Sequence, residues 1–139
     1  MIIRRNCFSF DVDTEATLQY SKEHSLCDCS YCRNFYVQAR ESFPELSAFL
    51  AQFGLEIDRP DEIASFVIED SVEYPFVSYT VIGDILEADK LEFTVMDKGR
   101  SVGILVDRDY VPNEQKTNRH FVLSVLNLKM PWILDEPLI

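Results

Sequence analysis

Three of the four cysteines and one of the two histidines fall within nine residues, His24 to Cys32, in the spacing His-x2-Cys-x-Cys-x2-Cys. Thiolate sulfur and imidazole nitrogen are the donors that tetrahedral Zn²⁺ prefers, so His24, Cys27, Cys29 and Cys32 make a candidate zinc knuckle of three sulfurs and one nitrogen. Four ligands from one short segment constrain little of the remaining chain, and Cys7 or His120 could add a distant ligand. Two other readings share the same residues. Cys29 and Cys32 form a Cys-x-x-Cys step entering a helix, where the helix dipole lowers a thiol pKa and favours redox or enzymatic thiol chemistry. Alternatively, the thiols are reduced and packed as small hydrophobes.

Other chemistry finds less support. Asp11, Asp13 and Glu15 are spaced by two, as are Asp107 and Asp109, but neither set is followed by the glycine and bidentate glutamate of a calcium loop. A nucleophilic triad would need a cysteine, His24 or His120, and Asp or Asn34 to meet in space, and no motif places them together. Gly54, Gly83, Gly99 and Gly103 are too scattered for a phosphate-binding loop. Arg33 and Asn34, beside the cysteines, read as a surface arginine and an asparagine bonding nearby backbone.

The elements that must position the cysteines follow from periodicity. Residues 7–12 alternate like a half-buried strand, Asp13 to Glu15 suit a turn, and Ala16, Leu18 and Tyr20 suit a second strand folding back as a hairpin. From Tyr31 the period becomes helical. Cys32, Phe35, Tyr36, Ala39 and Phe43 line one face, Arg33, Asn34, Gln38, Arg40 and Glu41 the other, and Asp28 or Ser30 is placed to cap the first turn. Pro44 opens a second helix, with Ser42 or Phe43 as its cap, that carries Leu46, Phe49, Leu50 and Phe53 and stops at Gly54.

Beyond a loop at 55–63 the chain reads as β. Strands are expected at Phe66–Ile68, at Phe76–Ile82 with Gly83-Asp84 as an interruption, and at Leu91–Val95. The turn Asp97 to Arg100 leads into Ser101–Val106. A polar loop, Asp107 to Asn118, precedes His120–Leu128, whose two apolar faces predict a central strand. The tail, Met130 to Ile139, holds the only tryptophan and reads as an edge or packing segment. The expected fold class is therefore α+β in a single domain, 1–139. An antiparallel sheet, made of a hairpin and a C-terminal meander, packs against a short helix pair.

With 139 residues the chain needs no metal or disulfide merely to fold. Its 24 acidic and 13 basic residues give a net charge of -11. That charge disfavours nucleic acid and anionic membranes, which are bound mainly through Lys and Arg, and favours a basic protein partner. The first residues lack the apolar core of a secretory signal, no run approaches the length of a membrane span, and clustered cysteines suit a reducing compartment. The expected location is the cytoplasm.

The segment CDCSYCRNF, with Gly54-Leu55 and Pro131-Trp132-Ile133-Leu134 downstream, resembles a group of small uncharacterised bacterial proteins sharing a Cys-x-Cys-x-x-Cys-Arg-Asn-Phe motif. The resemblance implies a bacterial origin and one compact domain, and it lends no activity. Composition and motifs together point to a non-enzymatic, acidic protein-interaction domain with a structural Cys/His zinc knuckle. The alternative is a thiol-based redox factor or enzyme using Cys27, Cys29 and Cys32.

Overall fold

A computed structural model describes residues 1–108 and 119–138. The expected loop Asp107–Asn118 therefore lies, from residue 109 on, outside the described residues, as does Ile139. The elements run β1 (Ile2–Arg5), β2 (Phe8–Val12), α1 (Thr14–Glu23), α2 (Ser30–Ser42), α3 (Pro44–Ala51), β3 (Glu62–Ile63), β4 (Phe66–Ile68), β5 (Ser71–Ala88), β6 (Glu92–Asp97), β7 (Arg100–Asp107) and β8 (His120–Pro131). The fold is α+β with an antiparallel sheet, as expected. Its strands follow the order β1-β2-β5-β8-β7-β6, with β3 and β4 also paired to β5.

β5 and β8 form the spine. They pair from Ser71 opposite Pro131 to Ile82 opposite His120, and Phe121 to Val125 of β8 are buried on both faces. The central strand is where the apolar pattern places it. Gly83-Asp84 does not interrupt β5, however. The strand runs on to Ala88 and exchanges β8 for β2 as its partner, with Gly83 opposite Val12. Gly83 makes this possible because its φ is +152° and a Cβ there would lie 2.1 Å from the Asp11 carbonyl oxygen.

The N-terminal hairpin is β1 with β2, and residues 14–23 are a helix rather than the second strand expected at Ala16–Tyr20. Asp13 caps this helix, its Oδ1 accepting from the Ala16 N–H at 3.0 Å. The inward face is polar and small: Thr17 and Ser21 are buried, and the Thr17 hydroxyl donates to the Asp13 carbonyl and accepts from the Ile82 N–H. A helix that buries threonine and serine carries no apolar 3.6-residue period, which is why alternation at Ala16, Leu18 and Tyr20 misleads.

The sheet coils until its outer strands meet through side chains. Phe8 of β2 lies 4.8 Å, centroid to centroid, from Phe93 of β6, and Arg5 of β1 donates to the Thr94 carbonyl of β6 at 2.8 Å. Phe10, Phe49, Phe53 and Phe121 continue the aromatic cluster at 5.2–5.7 Å spacings, with Arg5 over Phe49 and Phe93. α3 plugs this interior. Phe43 precedes it without a side-chain cap, and buried Asp97 at the end of β6 substitutes, its Oδ2 accepting from the Leu46 N–H at 2.7 Å. Glu45 returns the contact by accepting from the Lys98 N–H. No helix among the described residues is long and apolar enough to cross a membrane.

Two substitutions check this assembly by urea unfolding. Asp97→Ala orphans a buried helix N–H and is expected to lower stability by about 1–3 kcal/mol. Gly83→Ala, which places a methyl against backbone, is expected to cost about 2–4 kcal/mol, and unchanged stability would contradict the register of β2 on β5.

Candidate metal centre

The segment entering α2 is held by its backbone. The Tyr36 hydroxyl donates to the Cys27 carbonyl (2.9 Å), Arg33 Nε to that of Asp28 (3.1 Å), the Arg33 N–H to that of Cys29 (3.0 Å), and the Tyr74 hydroxyl of β5 to that of Tyr31 (2.7 Å). The shape of the segment therefore does not depend on the thiols bonding one another. Cys29, rather than Asp28 or Ser30, is the N-cap, its Sγ accepting from the Cys32 N–H at 3.5 Å. A thiol at this position faces the unpaired N–H groups of the first turn.

The three sulfurs of Cys27, Cys29 and Cys32 all lie within 4.8 Å of one another. Among the described residues this is the one group of three or more His, Cys, Asp or Glu side chains whose ligand atoms converge in a way that could hold a metal ion. Zinc at about 2.3 Å from each of three thiolates would space them about 3.8 Å apart, a closing movement of about 1 Å at most. Cys27 and Cys29 are exposed and Cys32 is buried, so an ion would sit at the surface with one ligand rooted in the core.

The thiols differ electrostatically. Partial burial pushes Cys29 up, but hydrogen bonds from the Cys32 N–H, the Cys32 and Cys27 side chains and the Tyr31 backbone outweigh it, and its pKa falls below the ordinary thiol value. Burial, followed by the neighbouring Cys29 and Cys27, raises Cys32 well above it. Tyr36 is raised by burial and then by the charge of Cys32 and Cys27. Three thiols without a cation thus resist shared ionisation, and a bound cation reverses that preference.

His24, expected as the nitrogen ligand, is not in the group. Its Nδ1 lies 3.2 Å from the Tyr20 carbonyl oxygen, and its Nε2 lies 3.1 Å from that of Pro60 and 3.4 Å from Asp61 Oδ1. The ring ties the end of α1 to the segment before β3, as Arg59 does by donating to the Ser21 and His24 carbonyls. Cys7 and His120 also lie outside the group: Cys7 sits in the β1–β2 turn against Asp89, and His120 opens β8 opposite Ile82. All four cysteines are free thiols.

A cleft of about 280 Å³ opens beside the sulfurs, with Cys27, Cys32 and Tyr36 on one side and Pro60, Asp61 and Ile63 on the other. The Asp61 side chain is 2 % exposed and accepts from the Thr80 hydroxyl. Burial raises its pKa, and hydrogen bonds from Thr80 and Tyr20 with the charge of His24 offset this only in part.

Residues 34 and 38 of α2, expected on the solvent side, are buried under the tail. Asn34 Nδ2 donates to the Pro131 carbonyl (3.1 Å) and the Tyr74 hydroxyl (3.3 Å), its Oδ1 accepts from the Ile133 N–H (3.0 Å), and Gln38 also donates to the Pro131 carbonyl (2.9 Å). Arg33 pairs with Glu136, while the Trp132 ring meets Tyr31 edge-on at 5.9 Å. The two carboxamides at i and i+4, one beside the cysteine motif, were the available signal for this clamp.

Comparisons with family models, curated proteins and solved structures find no match to this chain.

Asn34→Leu leaves backbone groups of the tail unpaired and is expected to cost about 2–3 kcal/mol, with a red shift of the Trp132 emission as the tail loosens. Asp61 makes a pH-dependent contribution of defined sign. The folded chain holds its proton to higher pH than the unfolded chain, so stability declines as pH rises from about 4 through the raised pKa. Asp61→Asn should flatten this part of the stability profile, and an unaltered slope in chemical unfolding would contradict it.

Proposed function

We propose that the chain is an acidic interaction domain built around a soft-metal site, with Cys27, Cys29 and Cys32 as thiolate ligands and Zn²⁺ as the first candidate ion. The convergence of three sulfurs within 4.8 Å carries this reading, because a redox pair needs only two. Soft thiolates select Zn²⁺ and other thiophilic ions over Mg²⁺ or Ca²⁺. Cys32 sits on the buried face of α2 and Cys27 precedes the helix, so an ion joining them staples the entering segment to the helix's first turn. Local stapling suits a structural role. The net charge of -11 supports a basic protein as the partner, and such an association weakens as salt rises.

A second reading is dithiol chemistry, favoured by exposed Cys29 at the helix start and buried Cys32 three residues on. Oxidation would join Cys29 Sγ to Cys32 Sγ, with the two thiol protons and two electrons passing to a disulfide oxidant whose S–S bond breaks and which leaves as two thiols.

Calorimetric titration of the reduced chain with zinc distinguishes these. One ion per chain is expected, with Cys29→Ser weakening binding by about 100-fold and His24→Gln leaving the affinity unchanged. Because thiol protons must leave, affinity should fall as pH falls, and zinc at about a thousand times its Kd should stabilise the fold by about 4 kcal/mol. Absence of stoichiometric binding, or equal loss in His24→Gln, would contradict the assignment.

A further inference from the structure

We infer that an ion held by Cys27, Cys29 and Cys32 keeps one coordination position open toward the cleft at Pro60–Ile63, and that this position accepts a neutral imidazole-type nitrogen donor. This rests on the metal reading above. A tetrahedral ion needs four ligands, and the converging group supplies three. His24, three residues before Cys27 in the sequence, has both ring nitrogens against carbonyl oxygens. The cleft, by contrast, is lined by two of the three ligating residues, Cys27 and Cys32.

The walls select what enters. At about 280 Å³ the cleft is smaller than most drug-sized pockets, which start at about 300 Å³, and it suits one ring rather than a cofactor. Three thiolates around a divalent ion leave a net charge of about −1 at the site. Asp61 and Glu62 line the cleft, on a chain with a net charge of -11. Carboxylate, phosphate and a fourth thiolate therefore meet like charge. An alkyl amine enters protonated at pH 7 and has no lone pair to give, whereas imidazole, with a pKa of about 6.5, is largely neutral. Pro60 and Ile63 offer an apolar edge to such a ring. The donor is either a small imidazole compound or a histidine of the partner, and both present the same atom.

Cobalt(II) substitution of the full chain reads both levels separately. Sulfur-to-cobalt charge-transfer bands report the thiolates, and the visible ligand-field bands report the fourth position. Imidazole should shift the ligand-field bands saturably while leaving charge transfer in place, with half-saturation about tenfold lower than for azide. Glu62→Lys, which reverses charge on the wall, should erase that preference. A histidine-containing basic peptide saturating below free imidazole assigns the donor to a partner chain; the reverse order assigns it to a small molecule. Ligand-field bands unmoved by imidazole, or azide bound as well as imidazole by the parent chain, would overturn this inference alone. Missing charge-transfer bands would overturn the metal reading and this inference with it.

Discussion

The ladder between β5 and β8 is the constraint on which the remaining structure depends. Its partners run from Ser71 with Pro131 to Ile82 with His120, and the helices, hairpin and outer strands are arranged around it. β5 takes β2, β3 and β4 along its other side, and β8 takes β7. Residues at its core, including Val77, Tyr79, Leu123 and Val125, are buried almost completely, so a shift of one residue would turn apolar side chains to the wrong face. Tyr79 also reaches out of the ladder to hold the Ile57 carbonyl, which fixes the segment leading to the cleft.

The cysteine site inherits its position from the end of that ladder. Asn34 grips Tyr74 on β5, Pro131 on β8 and the Ile133 N–H beyond it, and Tyr74 holds the Tyr31 carbonyl as well. The start of α2 is therefore located by the sheet, through one buried and two partly buried hydrogen bonds. Of the three cysteines, Cys32 is buried with the core while Cys27 and Cys29 are exposed. His24 and Asp61 do comparable structural work opposite, locking α1 to the far wall of the cleft.

Much of this was legible in the residue pattern. α2 and α3 were readable because Phe35, Ala39, Leu46, Phe49 and Leu50 put apolar groups on one face and Pro44 opens α3, although α3 ends at Ala51 rather than running through Phe53 to Gly54. The hairpin turn at Asp97 to Arg100 was readable from its glycine, and the central strand from its two apolar faces. α1 was not readable, because its buried face is Thr17 and Ser21. Nor was the clamp, because Asn34 and Gln38 look like solvent residues until the tail covers them. Buried polar groups leave no hydrophobic period. Of the site, the sulfurs were visible as spacing, while the placement of His24 apart from them, against the Pro60 carbonyl thirty-six residues away, was not.

The proposed site has Cys27, Cys29 and Cys32 as its sulfur ligands, with His24 outside it. X-ray absorption at the zinc edge, compared between the zinc-loaded chain and its His24→Gln variant, tests both points. Three sulfur scatterers at about 2.3 Å and one light nitrogen or oxygen scatterer at about 2.0–2.1 Å are expected, with the same spectrum in the variant. Four sulfurs, or fewer than three, would contradict it.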